Sequence, residues 1–367
     1  MNYIKKIWLD LRFLNKDNYY SQFIFQLVLS LTKQSPDYFY NIYLDLTFSN
    51  LNFWANTQNT FPLSKAWKLL WQWNFKKKLK KDNNDLIIFF NYKKPSWIKE
   101  KYLLFIPELS NLYFPKKQNI VNRYYEKHVF TDSTTNASKI ICFNKKTKEE
   151  INDKLDISEE KIEVLNPWFS KKTRIISWVN EDFKLNIKTK YNISWDFLIY
   201  NAWIWTEKNL DKIISVFKKM RKNKNNINLL ILDNNTITDL NFRKQIIKNK
   251  LTNKIFFIGW VNEFEKEYFY TNTLWILYPA LYNVFPFSLN DALNYKTNIL
   301  ISDLKNIKKI LWDNAIYFDP INIDDIYEKI INLTKNTLDY NEIFEKNSIE
   351  KSSNKLIKII DSIDVLD

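Results

Sequence analysis

Short apolar runs recur along this chain, separated by segments whose apolar residues return every three to four positions. In the first half Ile7 to Leu11, Tyr40 to Leu46, Leu86 to Phe90, Leu103 to Ile106, His128 to Thr131, Ile140 to Phe143 and Ile162 to Leu165 read as strands, with helical spacing at Gln22 to Leu31 and Lys146 to Leu155. A second series has strands at Phe197 to Tyr200, Asn228 to Leu232, Ile255 to Ile258, Leu274 to Tyr278 and Asn298 to Ile301. Helices at Asn209 to Arg221, Asp239 to Asn249, Glu263 to Thr271, Leu289 to Asn294 and Leu304 to Leu311 fall between or after those strands. Continuous apolar strands alternating with helices build parallel sheets covered on both faces. The expected fold is therefore α/β, with two doubly wound Rossmann-like domains facing across a cleft. The first spans 1–170 and the second 195–335. A charged, weakly periodic linker, 171–194, joins them, and C-terminal helices, 336–367, return to the first domain. Ligands of such sheets bind beyond the carboxyl ends of the strands, so the cleft is the expected site.

Composition changes this picture at one point. The chain has 14 tryptophans and a single glycine, Gly259, whereas ordinary usage would give about 26 glycines in this length. Tight turns and close phosphate contacts have no good substitute for glycine. Several tryptophans sit where turn chemistry is expected. Trp203 and Trp205 follow the run ending at Tyr200, Trp260 follows Gly259, Trp168 follows Asn166-Pro167, and Trp312 precedes Asp313-Asn314. We read these as positions where the natural protein carries glycine, encoded by UGA codons that another genetic code translates as tryptophan. The competing reading is an aromatic-rich core, which suits Trp8 and Trp275 inside apolar runs.

Of 367 residues, 46% are hydrophobic and 17% aromatic, enough for two substantial cores. No apolar run reaches the 18 or so residues of a membrane span, and the opening Met1-Asn2-Tyr3-Ile4-Lys5-Lys6 has no signal-peptide pattern, so a cytoplasmic protein is expected. One cysteine, Cys142, and one histidine exclude an internal disulfide and leave no plausible zinc cluster; no cofactor or metal is expected. The net charge is +14. An A/T-rich gene would enrich lysine and asparagine in the same way, so the charge by itself does not imply an anionic partner. The densest cluster, Lys76-Lys77-Lys78-Leu79-Lys80-Lys81, follows Trp67, Leu69, Leu70, Trp71 and Phe75. That mixture reads either as a peripheral contact with an anionic membrane or as a solvated loop. No nucleic-acid-binding motif accompanies the charge, and no nucleic-acid partner is expected.

Several segments match one family in order and at its spacing. With tryptophan read as glycine, Tyr200-Asn201-Ala202-Trp203-Ile204-Trp205-Thr206-Glu207-Lys208-Asn209-Leu210 resembles the "Y-V-G-G-I-x-P-R-K-N-L" segment of family-4 retaining glycosyltransferases of the GT-B fold. Phe257-Ile258-Gly259-Trp260-Val261, Tyr278-Pro279-Ala280-Leu281-Tyr282 and Thr297 to Asp303 are similar to later family segments, as is Leu311 to Pro320. The first half agrees more loosely, with Trp8-Leu9-Asp10-Leu11-Arg12 for "G-I-D-A-R" and Lys139 to Lys148 for "R-V-I-A-V-S-x-x-T-K". The resemblance covers most of the chain.

The resemblance implies transfer of a sugar from a nucleotide-diphosphate donor to a glycan, lipid or protein acceptor with retained configuration, in polysaccharide or cell-envelope biosynthesis. Such chemistry depends on stabilising the departing diphosphate by a cation and by backbone N–H groups at a helix N-terminus. Lys208 matches the phosphate lysine; Trp203, Trp205 and Phe285 fall on the donor loops. The family's two glutamates align with Asn283, near the donor sugar, and Asp291, on the ribose hydroxyls. Departures accompany the match. Asn283 lacks the charge, Asp291 is shorter, and Val284 and Pro286 replace glycines. The family's N-terminal histidine aligns with Pro107, which leaves Glu108 beside it as the candidate acidic group. Two classes follow: an active glycosyltransferase, or a GT-B-fold subunit that binds a sugar or partner without turnover.

Overall fold

The computed structural model describes residues 4–14, 19–44, 53, 57–60, 76–109, 120–169, 171, 181–200, 209–232, 240–259, 261–282, 287–333 and 340–363. It divides into two compact units, Met1–Ser170 with Asn347–Asp367, and Lys171–Lys346.

The first unit is built on seven strands: β1 (Lys6–Asp10), β2 (Phe39–Tyr43), β3 (Thr57–Thr60), β4 (Leu86–Phe89), β5 (Tyr102–Phe105), β6 (Lys139–Cys142) and β7 (Ile162–Val164). Their order is β3-β2-β1-β4-β5-β6-β7, and all neighbours are parallel. Strands such as Leu-Ile-Ile-Phe in β4 are buried at every position, which is why their sequence is continuously apolar instead of alternating. Trp8 lies fully buried in β1, its ring 4.6 Å from that of Tyr43. The last helix, Ile349–Asp361, packs on the helix Tyr19–Gln34 of the same unit. There the hydroxyls of Ser30 and Ser353 meet at 2.8 Å, and Lys5 Nζ donates to the carbonyl of Ile360 at 2.6 Å.

The second unit holds β8 (Phe197–Tyr200), β9 (Asn228–Ile231), β10 (Ile255–Phe257), β11 (Trp275–Tyr278), β12 (Ile299–Ser302) and β13 (Ile316–Phe318). The order β10-β9-β8-β11-β12-β13 is the doubly wound 3-2-1-4-5-6 arrangement, all parallel, with its switch point between β8 and β11. The helix Leu210–Lys222 buries Ile213, Ile214, Val216, Phe217 and Met220, a stripe at helical spacing that covers Leu198, Leu229 and Ile231 in one cluster.

Two elements depart from the sequence expectation. His128 to Thr131 is not a strand but lies inside the helix Ile120–Thr135. Only Val129 and Phe130 are apolar there, too short a run to fix a period. The hydroxyl of Ser133 donates to the carbonyl of Val129 at 2.6 Å, a bond made one helical turn back. Within the expected linker the helix Glu181–Tyr191 forms. Its last turn is held by Glu265, which accepts from Lys190 Nζ at 2.6 Å and from the Tyr191 hydroxyl at 3.0 Å. The polar strand β3 gave no periodic signal.

With so little glycine, other residues carry the left-handed turns. Asn83, Asp156, Asn192, Lys224, Lys250 and Lys296 all have positive φ, beside the sole glycine, Gly259, at φ 81°. All six follow helices, where the chain commonly ends in a left-handed residue. Asparagine tolerates that conformation, but lysine does so at a cost. Trp312 differs from these. At φ 44° and ψ −124° it follows the helix Lys305–Leu311, and the N–H of Asn314 donates to the carbonyl of Leu311 at 2.8 Å. Those dihedrals with that bond are the first central position of a type II′ turn, where glycine is the usual residue. Trp168, by contrast, is buried and stacks on Phe23 with ring centroids 3.6 Å apart.

Candidate functional site

In the second unit the carboxyl ends of β8 and β11 border the switch point. β8 ends at Tyr200, and the chain is next described at Asn209, which opens the helix Leu210–Lys222. Asn209 adopts a left-handed conformation, φ 61° and ψ 29°, and makes no side-chain cap to the helix. Its amide donates to the carbonyl of Pro320 at 2.5 Å instead. Asn144, Asn262, Asn322 and Ser348, in extended conformations, do cap their helices. Asn209 thus ties the start of this helix to the segment that follows β13.

β11 runs into Pro279-Ala280-Leu281-Tyr282, and the helix Leu289–Asn294 carries Asp291 in its first turn. Asp291 is 1% exposed. Lys266 Nζ stands 3.4 Å from Asp291 Oδ2 and 2.6 Å from Glu263 Oε1. A carboxylate so buried needs such a cation, since an ion removed from water without a partner is strongly disfavoured. Tyrosines crowd the pair. Burial first, and then the charge of Asp291, push the Tyr278 phenol well above its ordinary value, even though the Ser288 hydroxyl opposes the shift. The Tyr295 phenol is pushed up by burial and by Asp291, Glu263 and Glu267. Both phenols stay neutral at physiological pH, so the charged side chains around them are Asp291, Glu263, Glu267 and Lys266.

In the first unit the matching edge carries a second polar group. Arg12, just past β1, grips Asp10 with a two-pronged contact, Nε to Oδ1 at 2.5 Å and Nη2 to Oδ2 at 2.6 Å. The hydroxyl of Tyr20 donates to the carbonyl of Phe90 at the end of β4 at 2.6 Å. Glu108 follows β5 by three residues, after the buried Pro107. Burial first, and next the charge of Glu108, raise the Tyr92 phenol. Burial and Tyr92 likewise raise Tyr20. Arg12 and Asp10 thus pair at the end of β1, and Tyr20, Tyr92 and Glu108 interact near the end of β4. Cys142, the only cysteine, is buried at the end of β6 with its thiol pushed up to about 12 by that burial, and is no nucleophile.

Of the residues singled out in the sequence, Asp291 and Glu108 take these places. Lys208, Trp203, Trp205, Asn283 and Phe285 lie outside the described residues, as do Val284, Pro286 and Trp260. Sequence reasoning missed Lys266 and Glu263. A single lysine among 55 basic residues, 25 positions from its partner, gives no periodic signal. Tyr278 and Tyr295 were hidden within an apolar run and a helix end.

The architecture is that of GT-B glycosyltransferases. The fold resembles a glycosyltransferase of Rickettsia africae, with TM-score 0.68 at 13% identity over 98% of each chain. It also resembles the Anabaena HepE protein in complex with UDP-glucose, with TM-score 0.69 at 10% identity over 98% of this chain and all of that one. Within this fold, residues 180–351 match the family model of the group 1 glycosyl transferases, a stretch that takes in the whole sheet of the second unit. The chain is also 21% identical over 291 residues to the O-antigen chain mannosyltransferase RfbU of Salmonella typhimurium, covering 79% of this chain and 76% of that protein. No helix among the described residues is long and apolar enough to cross a membrane.

Proposed function

We propose that this protein is a retaining glycosyltransferase of family 4 that moves a hexose from a nucleotide-diphosphate sugar to a glycan or lipid-linked acceptor of the cell envelope. The observation that carries the reading is the group 1 match over 180–351, which falls on the unit whose switch point is flanked by Asp291. The solved relative holding UDP-glucose, and the mannosyltransferase relative that acts on O-antigen chains, support a nucleotide-sugar donor and a saccharide acceptor.

In this reading Lys208 and the amide groups at the start of the helix Leu210–Lys222 take the diphosphate, whose departure is the step that needs stabilising. Asn209 sets the aim of that helix through Pro320. Asp291 accepts from the ribose hydroxyls, Asn283 and Phe285 serve the donor sugar, and Trp203 and Trp205 belong to the donor-binding set. Glu108, with Arg12 and Tyr92, faces the acceptor. Transfer breaks the bond between the anomeric carbon and the diphosphate oxygen and forms one to the acceptor oxygen, whose proton leaves with the diphosphate. The enzyme works in the cytoplasm, and the lysines at 76–81 provide a peripheral contact with the inner face of the membrane.

A second reading, a GT-B-fold subunit that binds without turnover, is favoured by the buried Pro107 where the family has histidine. Calorimetric titration with nucleotide sugars, followed by assay of nucleoside diphosphate release, separates the two. Binding with release supports transfer, binding without release supports the subunit, and absence of binding contradicts transfer.

A further inference from the structure

Lys266 and Asp291 lie on the two helices that flank β11, Glu263–Asn272 before it and Leu289–Asn294 after it. In a doubly wound sheet both helices begin at the carboxyl edge, where ligands bind. Lys266 is in the first turns of its helix and Asp291 in the first turn of the other, so their 3.4 Å pair lies toward the carboxyl edge of the sheet. The pair is well shielded, with the lysine side chain 12% exposed and the aspartate side chain 2%. Glu263, at 2.6 Å, anchors the same ammonium from one turn earlier and is itself half exposed. Tyr295 closes the group from the end of the Asp291 helix, its ring 5.4 Å from that of Tyr270.

A carboxylate accepts hydrogen bonds from vicinal hydroxyls well only when it stays ionised and keeps its plane fixed. Burial works against the first condition and a neighbouring cation restores it. The 3.4 Å ion pair at Oδ2, held on two helices, bears on the second. Resting on the functional reading above, we infer that Lys266 is a positioning residue that keeps Asp291 charged and oriented toward the ribose hydroxyls of the donor. The site therefore selects ribonucleotides over 2′-deoxyribonucleotides. Glu263 secures the far side of the ammonium and has no direct role in that choice.

Titration calorimetry of the full chain with UDP against 2′-deoxy-UDP, and GDP against 2′-deoxy-GDP, tests this. The unaltered protein binds one ribonucleotide tighter than its deoxy counterpart by about tenfold or more, the worth of a hydrogen bond to a charged group. Lys266→Met abolishes that preference, Lys266→Arg keeps it because the charge remains, and Glu263→Gln keeps it as well. A folded Lys266→Met protein with the full preference overturns the inference. If Lys266→Met does not fold, loss of the preference in Lys266→Arg or Glu263→Gln overturns it. Nucleotide binding by the unaltered protein without ribose preference overturns it and leaves the functional reading standing. Failure of the unaltered protein to bind either ribonucleotide overturns that reading, and the inference falls with it.

Discussion

Replacing Trp312 by glycine and by alanine reads out how far this backbone was shaped for glycine. Both variants remove the indole and its contact with Lys346 Nζ, 3.9 Å from the ring centroid, so those losses cancel when the two are compared. What remains is the backbone at φ 44° and ψ −124°. A residue with a Cβ held in such a sparsely populated region costs about 1–3 kcal/mol. Against that, glycine carries about 0.5–1 kcal/mol of extra unfolded-chain entropy relative to alanine. The expected result is that Trp312→Gly is more stable than Trp312→Ala by about 0.5–2 kcal/mol, the reverse of the order seen at ordinary sites. In a unit of this size each kcal/mol moves the melting temperature by about 2–4 °C. Thermal unfolding followed by calorimetry, with urea midpoints as a check, measures the difference. Alanine equal to or better than glycine would refute the assignment of this turn to a glycine geometry.

The left-handed lysines offer a smaller version of the same test: Lys224→Gly, Lys250→Gly and Lys296→Gly should each stabilise the protein by up to about 1 kcal/mol in urea unfolding. If the tryptophans replace natural glycines, the intact mass of protein purified from its native source will fall below that of this sequence, and Trp203→Gly with Trp205→Gly will raise both stability and nucleotide affinity. An unchanged mass, or no gain in either property, counts against the recoding. Burial works to raise the Glu265 carboxyl, but bonds from Lys190, the Asn262 N–H and Tyr191 outweigh it and hold the pKa below the usual value. A depressed carboxylate adds stability above its unfolded pKa, about 4.3, and loses it as the pH falls through the folded one. Glu265→Gln should therefore lower stability at pH 7 and flatten its decline below about pH 4, where variant and parent converge in thermal unfolding.

Most of the fold was legible because parallel strands buried on both faces leave continuous apolar runs. Leu86 to Phe90 and Phe197 to Tyr200 could be placed within a residue or two by that signal alone. It failed where burial and period part company. Thr57–Thr60 pairs with β2 through a wholly polar sequence, and Val129-Phe130 gave too few apolar positions to separate strand from helix. Asp291 was singled out by motif spacing alone, and the structure places it buried in the short helix that follows β11. Lys266 could not be found that way, since its meaning depends on a contact between the helix before β11 and the helix after it. The tryptophan pattern was legible as an anomaly, and the structure gives two different local outcomes: a turn dihedral suited to glycine at Trp312 and a filled core at Trp168.

The most direct test of the central claim is proton NMR of the purified protein with UDP- and GDP-hexoses and an acceptor fraction from the cell envelope, following the anomeric signals over time. The account predicts loss of one donor signal, release of its nucleoside diphosphate, and a product anomeric proton of the same configuration, all sharply slowed in Asp291→Ala. An inverted product would contradict the retaining mechanism. Absence of turnover for every donor, or turnover unaffected by Asp291→Ala, would contradict the assignment of sugar transfer to this site.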